Sequence, residues 1–224
     1  MIVKIKRQAG PEAPGYWQSF AYEGDRHVTV SAVLDALNYT DDLFDLEGKP
    51  APRIRWECSC MQAVCGGCAM VINGIPALAC ATYADQVKGE ELVLEPLSKF
   101  PVIADLMVDR SIIYEQLLQA KAYLENVATS DKGQLPHQYS VAKCLKCGLC
   151  LEVCPNYRPG GQFYGAVLAN ESYLLASQSA EKKPPVVQEY KKHFGAGCSK
   201  ALSCQSVCPM QIETITSILR MNRK

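Results

Sequence analysis

Two stretches of this chain nearly repeat one another. "CLKCGLCLEVCP" places Cys144, Cys147, Cys150 and Cys154 ahead of Pro155. "CSKALSCQSVCP" places Cys198, Cys204 and Cys208 ahead of Pro209, with Ala201 at the remaining position. Thiols at this spacing converge on a common centre, and the backbone between them must curl tightly to let them. The chain's twelve cysteines are clustered rather than scattered over its 224 residues. A disulfide framework would need an oxidising compartment. The N-terminal "MIVKIKRQAGPEAPG" has neither an apolar run nor a cleavage-site pattern, so no signal peptide is read there. A chain this long also needs no covalent staples to build a core. The cysteines are therefore read as metal ligands.

They divide into three sets. Cys60, Cys65 and Cys68 stand four and then two residues apart, with Cys80 further on. That is the plant-type ferredoxin spacing for a [2Fe–2S] cluster. Gly66 and Gly67 lie inside the loop, where the backbone must come close to the sulfurs. A zinc site is the alternative, but four plus two intervening residues does not suit a zinc knuckle. In bacterial two-cluster ferredoxins the fourth cysteine of each block serves the other block's cluster. On that swap Cys144, Cys147, Cys150 and Cys208 hold a [4Fe–4S] cluster. Cys198 and Cys204 take Cys154. The fourth corner falls to Ala201, whose methyl group cannot bind iron, so a [3Fe–4S] cluster is expected. The alternative is a four-iron cluster whose last iron is held by water, Ser199 or Ser203. Eleven cysteines are then used. Cys58, the twelfth, reads as a bystander thiol, the alternative being a substitute ligand or a redox-sensitive group.

Charge is balanced, 23 basic against 23 acidic residues. No nucleic-acid footprint or polybasic membrane patch is implied. Residues 58–84 carry no charge and are long enough to span a bilayer. Gly66-Gly67, Asn73-Gly74 and Pro76 make them a poor helix, and they read as a loop, a strand, a turn and a strand.

"MIVKIKRQ", "GYWQSFAY" and "EELVLEPL" read as strands, and "CAMVINGIPALAC" as a hairpin turning at Asn73-Gly74. Val30, Val33, Leu34 and Leu37 recur at helical spacing behind Thr29, a candidate cap. Further on, Ile113, Leu117, Ala120 and Leu124 share a helical face, residues 129–140 with Gly133 and Pro136 read as a loop, and "YGAVLANESYLLASQ" and "IETITSILRMNR" read as helices. The expected fold is α+β. Residues 1–102 form a β-grasp, plant-type ferredoxin domain, and 103–224 an all-helical domain like a bacterial two-cluster ferredoxin.

This order of blocks, with its alanine gap, closely resembles the iron–sulfur subunit of the succinate dehydrogenase and fumarate reductase (complex II) family. "CGGCAMVINGIPALAC" resembles that family's segment around the [2Fe–2S] cluster, and "FPVIADLMVDRSIIYEQL" its interdomain connector. The resemblance covers nearly the whole chain. It implies an oxidoreductase whose dicarboxylate chemistry lies on a partner flavoprotein with covalently held FAD. Single electrons then pass through [2Fe–2S], [4Fe–4S] and [3Fe–4S] centres to a quinone near one or more membrane-anchor subunits, with or without haem. It also implies a peripheral place on the cytoplasmic face of the cell membrane, or a matrix face had a transit peptide been removed, with no transmembrane segment in this chain.

Two departures bear on the quinone. Many ubiquinone-reactive members resemble one another in a tryptophan five residues after the cysteine that matches Cys154, and here Pro159 stands there. They often have a histidine after the cysteine that matches Cys198, and here it is Ser199. Only sixteen residues follow Cys208. A menaquinone-linked or fumarate-reducing enzyme fits better, with Tyr157, Arg158 and Ser199 the nearest polar candidates for the headgroup. Two other functions stay open: a soluble fumarate reductase subunit with a thiol or ferredoxin donor, and a free-standing multi-cluster carrier. His27, His137 and His193 lie outside every ligand spacing and are expected to be solvated or packed. Arg53 and Arg55, ahead of the first set, face either the cluster's charge or solvent.

Overall fold

A computed structural model describes residues 1–129, 134–181 and 184–223. They fall into two compact units, Met1–Asp109 and Arg110–Lys224.

The first unit is built on β1 (Ile2–Arg7), β2 (Tyr16–Ala21), α1 (Val30–Asn38), the short pair β3 (Leu43–Phe44) and β4 (Pro50–Ala51), β5 (Ala69–Ile72), β6 (Ile75–Leu78), β7 (Glu91–Glu95), and the pair β8 (Val102–Ala104) and β9 (Met107–Val108). Five strands make one sheet in the order β2-β1-β7-β5-β6. β1 runs antiparallel to β2 and parallel to β7, and β5 runs antiparallel to both β6 and β7. Alternation along β1 sends Val3 and Ile5 into the core and leaves Ile2 and Lys6 outside. α1 begins where Thr29 accepts the Ala32 N–H at 3.3 Å, and it buries Val30, Val33, Leu34 and Leu37, the residues its spacing singled out. The hairpin turns at Asn73 and Gly74, at φ 45° and 78°, the left-handed pair a two-residue turn requires. The Asn73 amide also donates to the Lys88 and Glu91 carbonyls and accepts from Val93 N–H, tying the turn to β7.

A buried ion pair fixes the approach to the first cysteine loop. Arg7 Nε lies 2.9 Å from Asp105 Oδ1, both side chains almost wholly enclosed. The Arg7 guanidinium donates to the carbonyls of Pro52 and Arg53, while Asp105 accepts the backbone N–H groups of Gln8 and Arg55. Two buried charges persist only when their remaining donors and acceptors are matched, and here the matching groups are the Gln18 side chain, the Gln8 N–H and the backbone of Pro52, Arg53 and Arg55.

The second unit holds α2 (Ser111–Gln119), α3 (Leu135–Ala142), the one-turn α4 (Leu149–Glu152), α5 (Gly165–Gln178), α6 (Pro185–His193), the one-turn α7 (Ser203–Ser206) and α8 (Thr214–Met221). Among the described residues it has no strand. α5 is its axis. It packs against α2, α3, α4, α6 and α8 and buries residues on every side, the mark of a helix enclosed all round. Leu168, Ala169, Tyr173, Val186, Tyr190, Ile218 and Met221 form the core.

Three expectations are corrected here. Residues 135–140, read as part of a loop, lie in α3. Pro136 sits in the helix's first turn, where its missing N–H is no loss; Gly133 lies outside the described residues. α2 ends at Gln119 and Lys121 turns left-handed at φ 51°, so Leu124 is not on its face. Cys150 and Cys204, expected between helices, sit within α4 and α7. No helix among the described residues is long and apolar enough to cross a membrane.

Candidate metal centres

The first set is assembled by a loop whose residues turn repeatedly left-handed. Met61, Ala63 and Gly66 have φ of 54°, 58° and 78°. Each reversal swings backbone N–H groups inward, as in the concavities that hold anionic groups. Gln62 and Val64 donate to Cys60 Sγ at 3.3 and 3.4 Å, Ala63 to Cys80 Sγ at 3.3 Å and Gly67 to Cys65 Sγ at 3.4 Å. Cys68 Sγ lies 3.3 Å from Cys80 Sγ, and the Cys80 N–H points back at Cys68 at 3.5 Å. Cys68 and Cys80 are therefore in contact, and the amides of the same loop reach Cys60, Cys65 and Cys80. Their environments differ: the Gln62 and Val64 amides draw Cys60 down to about 7, whereas burial pushes Cys68 up to about 12. Cys58 is exposed, its sulfur 3.5 Å from Met61 Sδ. The Arg55 guanidinium reaches the Ala9 carbonyl.

In the second unit Cys144, Cys147, Cys150, Cys204 and Cys208 line one cavity. Val167 and Ile212 supply apolar wall. Burial raises the pKa of Cys144 and Cys150, and raises Cys147 to about 11. The field at Cys144 and at Cys147 includes Cys208 from the later block. Cys204 is also raised by burial, and among neighbouring thiols it feels Cys154 of the earlier block ahead of Cys198 of its own. Thiols from the two blocks are thus interleaved. Among the described residues no three His, Cys, Asp or Glu side chains are set around a single metal ion. Thiols placed around a multi-iron core surround it rather than meet at one point. Convergent thiols, inward amides and apolar walls fit iron–sulfur clusters.

Other predicted residues separate. Tyr157 is 1% exposed, its hydroxyl 3.5 Å from Gln116 Oε1. Arg158 is exposed. Ser199 is exposed and donates to Asn156 Oδ1 at 2.9 Å, while Asn156 Nδ2 donates to the Gly197 carbonyl at 2.7 Å. His193 is buried against Tyr164, ring centroids 4.0 Å apart. His137 tilts on Tyr173, and its Nε2 lies 3.0 Å from Ser217 Oγ. Exposed His27 meets Asp85 at 2.8 Å.

Three polar features escape a reading of the sequence. Lys146 lines the cavity and pairs with Glu171 of α5, their side chains 19% and 14% exposed. Asn170 and Thr214 line the same cavity and meet each other at 3.1 Å. Asn156 bridges the two cysteine blocks. All are long-range pairings, and the only local cue is that Lys146 stands between two ligand candidates.

Comparison with known proteins finds two matching domains. Residues 2–115 match a 2Fe-2S iron-sulfur cluster binding domain, and residues 140–212 a 4Fe-4S dicluster domain. The succinate dehydrogenase iron-sulfur subunit of Bacillus subtilis is 33% identical over 98% of this chain and 90% of its own length. The fumarate reductase iron-sulfur subunit of Escherichia coli is 31% identical over 93% and 86%. In fold, the chain matches one from the Mycobacterium smegmatis Sdh1 complex in the apo form, with a TM-score of 0.75 at 23% identity over 100% of this chain and 96% of that one. A 2Fe-2S domain followed by a 4Fe-4S dicluster domain, and relatives alike over nearly their full length, place this chain in the family of succinate dehydrogenase and fumarate reductase iron–sulfur subunits.

Proposed function

We propose that this chain relays single electrons between a flavoprotein carrying FAD and a quinone, menaquinone in preference, held with membrane-anchor subunits at the cytoplasmic face of a membrane. The ligand sets are Cys60, Cys65, Cys68 and Cys80 for [2Fe–2S]; Cys144, Cys147, Cys150 and Cys208 for [4Fe–4S]; and Cys154, Cys198 and Cys204 for [3Fe–4S]. When bound, these groups supply one-electron carriage, and dicarboxylate chemistry belongs to the flavoprotein. The observation that carries the reading is the interleaving of the two blocks: Cys204 and Cys208 of the later block line the cavity of Cys144, Cys147 and Cys150 of the earlier one. The sheet order, with β1 between β2 and β7, supports the β-grasp reading of the first domain.

The protein's own part is to hold, insulate and tune. Backbone amides aimed at Cys60, Cys65 and Cys80 stabilise negative charge on sulfur. At Cys144, Cys147 and Cys150 burial keeps the thiols protonated until metal displaces the protons, so loading releases protons and strengthens as pH rises. Arg158 and Ser199 are the exposed candidates near a quinone headgroup, while Tyr157 serves as packing.

EPR of the anaerobically purified complex, air-oxidised and then reduced stepwise with iron quantified per chain, tests the reading. A near-isotropic oxidised signal lost on mild reduction, followed by a [2Fe–2S] signal, supports it. An EPR-silent oxidised sample with a full four-iron complement at both later sites overturns the three-iron assignment.

A further inference from the structure

Asn170 is 4% exposed, and its position is hard to justify on packing alone. Its Nδ2 lies 3.1 Å from Thr214 Oγ1, and its Oδ1 is buried with no hydrogen-bond partner among the described residues. Both side chains line the cavity that Cys144, Cys147, Cys150, Cys204 and Cys208 also line. A buried orphan acceptor is costly. A half-turn of the amide exchanges its oxygen and nitrogen without changing its shape. Oδ1 then accepts the Thr214 hydroxyl proton, and the amide nitrogen takes the orphan's position at the cavity that the cysteines line. That arrangement leaves no orphan acceptor on Asn170 and keeps the Thr214 contact.

We infer that the Asn170 amide, held by Thr214, donates a hydrogen bond to sulfur at the four-iron site and sets its potential. This rests on the ligand assignment above. A donor aimed at sulfur favours the form with more negative charge, the reduced one, so Asn170 raises the potential. It is a positioning and tuning group and carries no electron itself.

The test is an EPR-monitored redox titration of the purified complex, wild type against N170L and T214V. N170L keeps the bulk and removes the donor. Its oxidised-to-reduced balance at the four-iron centre should shift roughly tenfold toward the oxidised form, about 59 mV for a one-electron couple, with the [2Fe–2S] midpoint unmoved. T214V should move the same midpoint in the same direction by less, and it decides the question should N170L fail to assemble. Pulsed EPR should show a weakly coupled exchangeable proton in the wild type that N170L loses. An unmoved four-iron midpoint in an iron-replete variant overturns the inference, as does an equal shift at both centres. A wild-type complex with no four-iron signal instead overturns the ligand assignment, and this inference with it.

Discussion

Residues 144–155 and 198–209 adopt the same backbone in different surroundings. Lys146 and Lys200 are both left-handed, at φ 53° and 59°, and so are the residues two further on, Gly148 and Leu202, at 87° and 59°. Each block then forms a one-turn helix, α4 or α7. Its last cysteine donates its N–H to the matching carbonyl, Cys154 to Leu151 at 3.2 Å and Cys208 to Gln205 at 3.3 Å. Only then do they diverge. α4 buries Leu149 and Leu151, whereas α7 buries nothing. Lys146 is paired and half-buried; Lys200 and Ala201 are exposed. The curl that gathers thiols is therefore independent of having all four. The later block keeps the geometry for a fourth ligand at Ala201 without the ligand, on the side nearer solvent. A decayed site would have no reason to hold Leu202 left-handed, a conformation costing roughly 1–2 kcal/mol outside glycine.

The comparison breaks most visibly at the last cysteine of each block. If the blocks exchange these ligands, Cys208→Ala removes the four-iron signal while the oxidised three-iron signal survives, and Cys154→Ala does the reverse. EPR with iron per chain reads both. The opposite pairing of losses would mean that each block closes on its own cysteine.

Ala201→Cys sharpens the same comparison. With both neighbours already left-handed, the new thiol occupies the place of Cys147 in the earlier block. The expected outcome is a fourth iron at this site, loss of the near-isotropic oxidised signal, and a lower potential that slows quinone reduction. A variant whose iron content and oxidised spectrum match wild type would show that exposure, not the missing thiolate, sets the cluster type.

What the sequence made legible follows from how local each signal is. The Asn73-Gly74 turn, the Thr29 cap and the cysteine spacings each lie within a few residues, and each could be read directly. α3 was lost because Pro136 suggested a loop, although a proline in the first turn starts helices as readily as it stops them. α6, which opens on Pro185 after Pro184, offered the same ambiguous cue. The interleaving of the blocks could be proposed only through the two-cluster pattern. The pairing of Lys146 with Glu171 and the Asn170 amide depend on α5 lying against the cavity, and no spacing encodes that.

Lys146 and Lys200 are a matched pair for a smaller test. Lys146→Met leaves Glu171 half-buried and unpaired near Cys144. The loss should be about 2 kcal/mol, between the values for exposed and fully buried pairs. The four-iron potential should also fall, because a cation has been removed beside it. Lys200→Met at the exposed position should change neither. Thermal loss of the cluster absorbance and a redox titration measure the two effects. Equal responses from both lysines would mean that the Glu171 pair contributes nothing beyond a surface charge.

The smallest effect concerns the residue that differs after the gap. Leu202 occupies at φ 59° the position that Gly148 fills at 87°. Leu202→Gly relieves the left-handed strain, about 1 kcal/mol, but gives up a partly buried side chain and frees the unfolded backbone, which offsets much of the gain. Gly148→Ala puts a side chain on a backbone at φ 87°, a strain larger than the unfolded-chain entropy it removes. The midpoint for cluster bleaching should therefore rise by no more than about 2–4 °C in the first variant and fall by a similar amount in the second. A fall in both would mean that Leu202 is held by its packing, and that the later block keeps its curl through side-chain contacts where the earlier one relies on glycine.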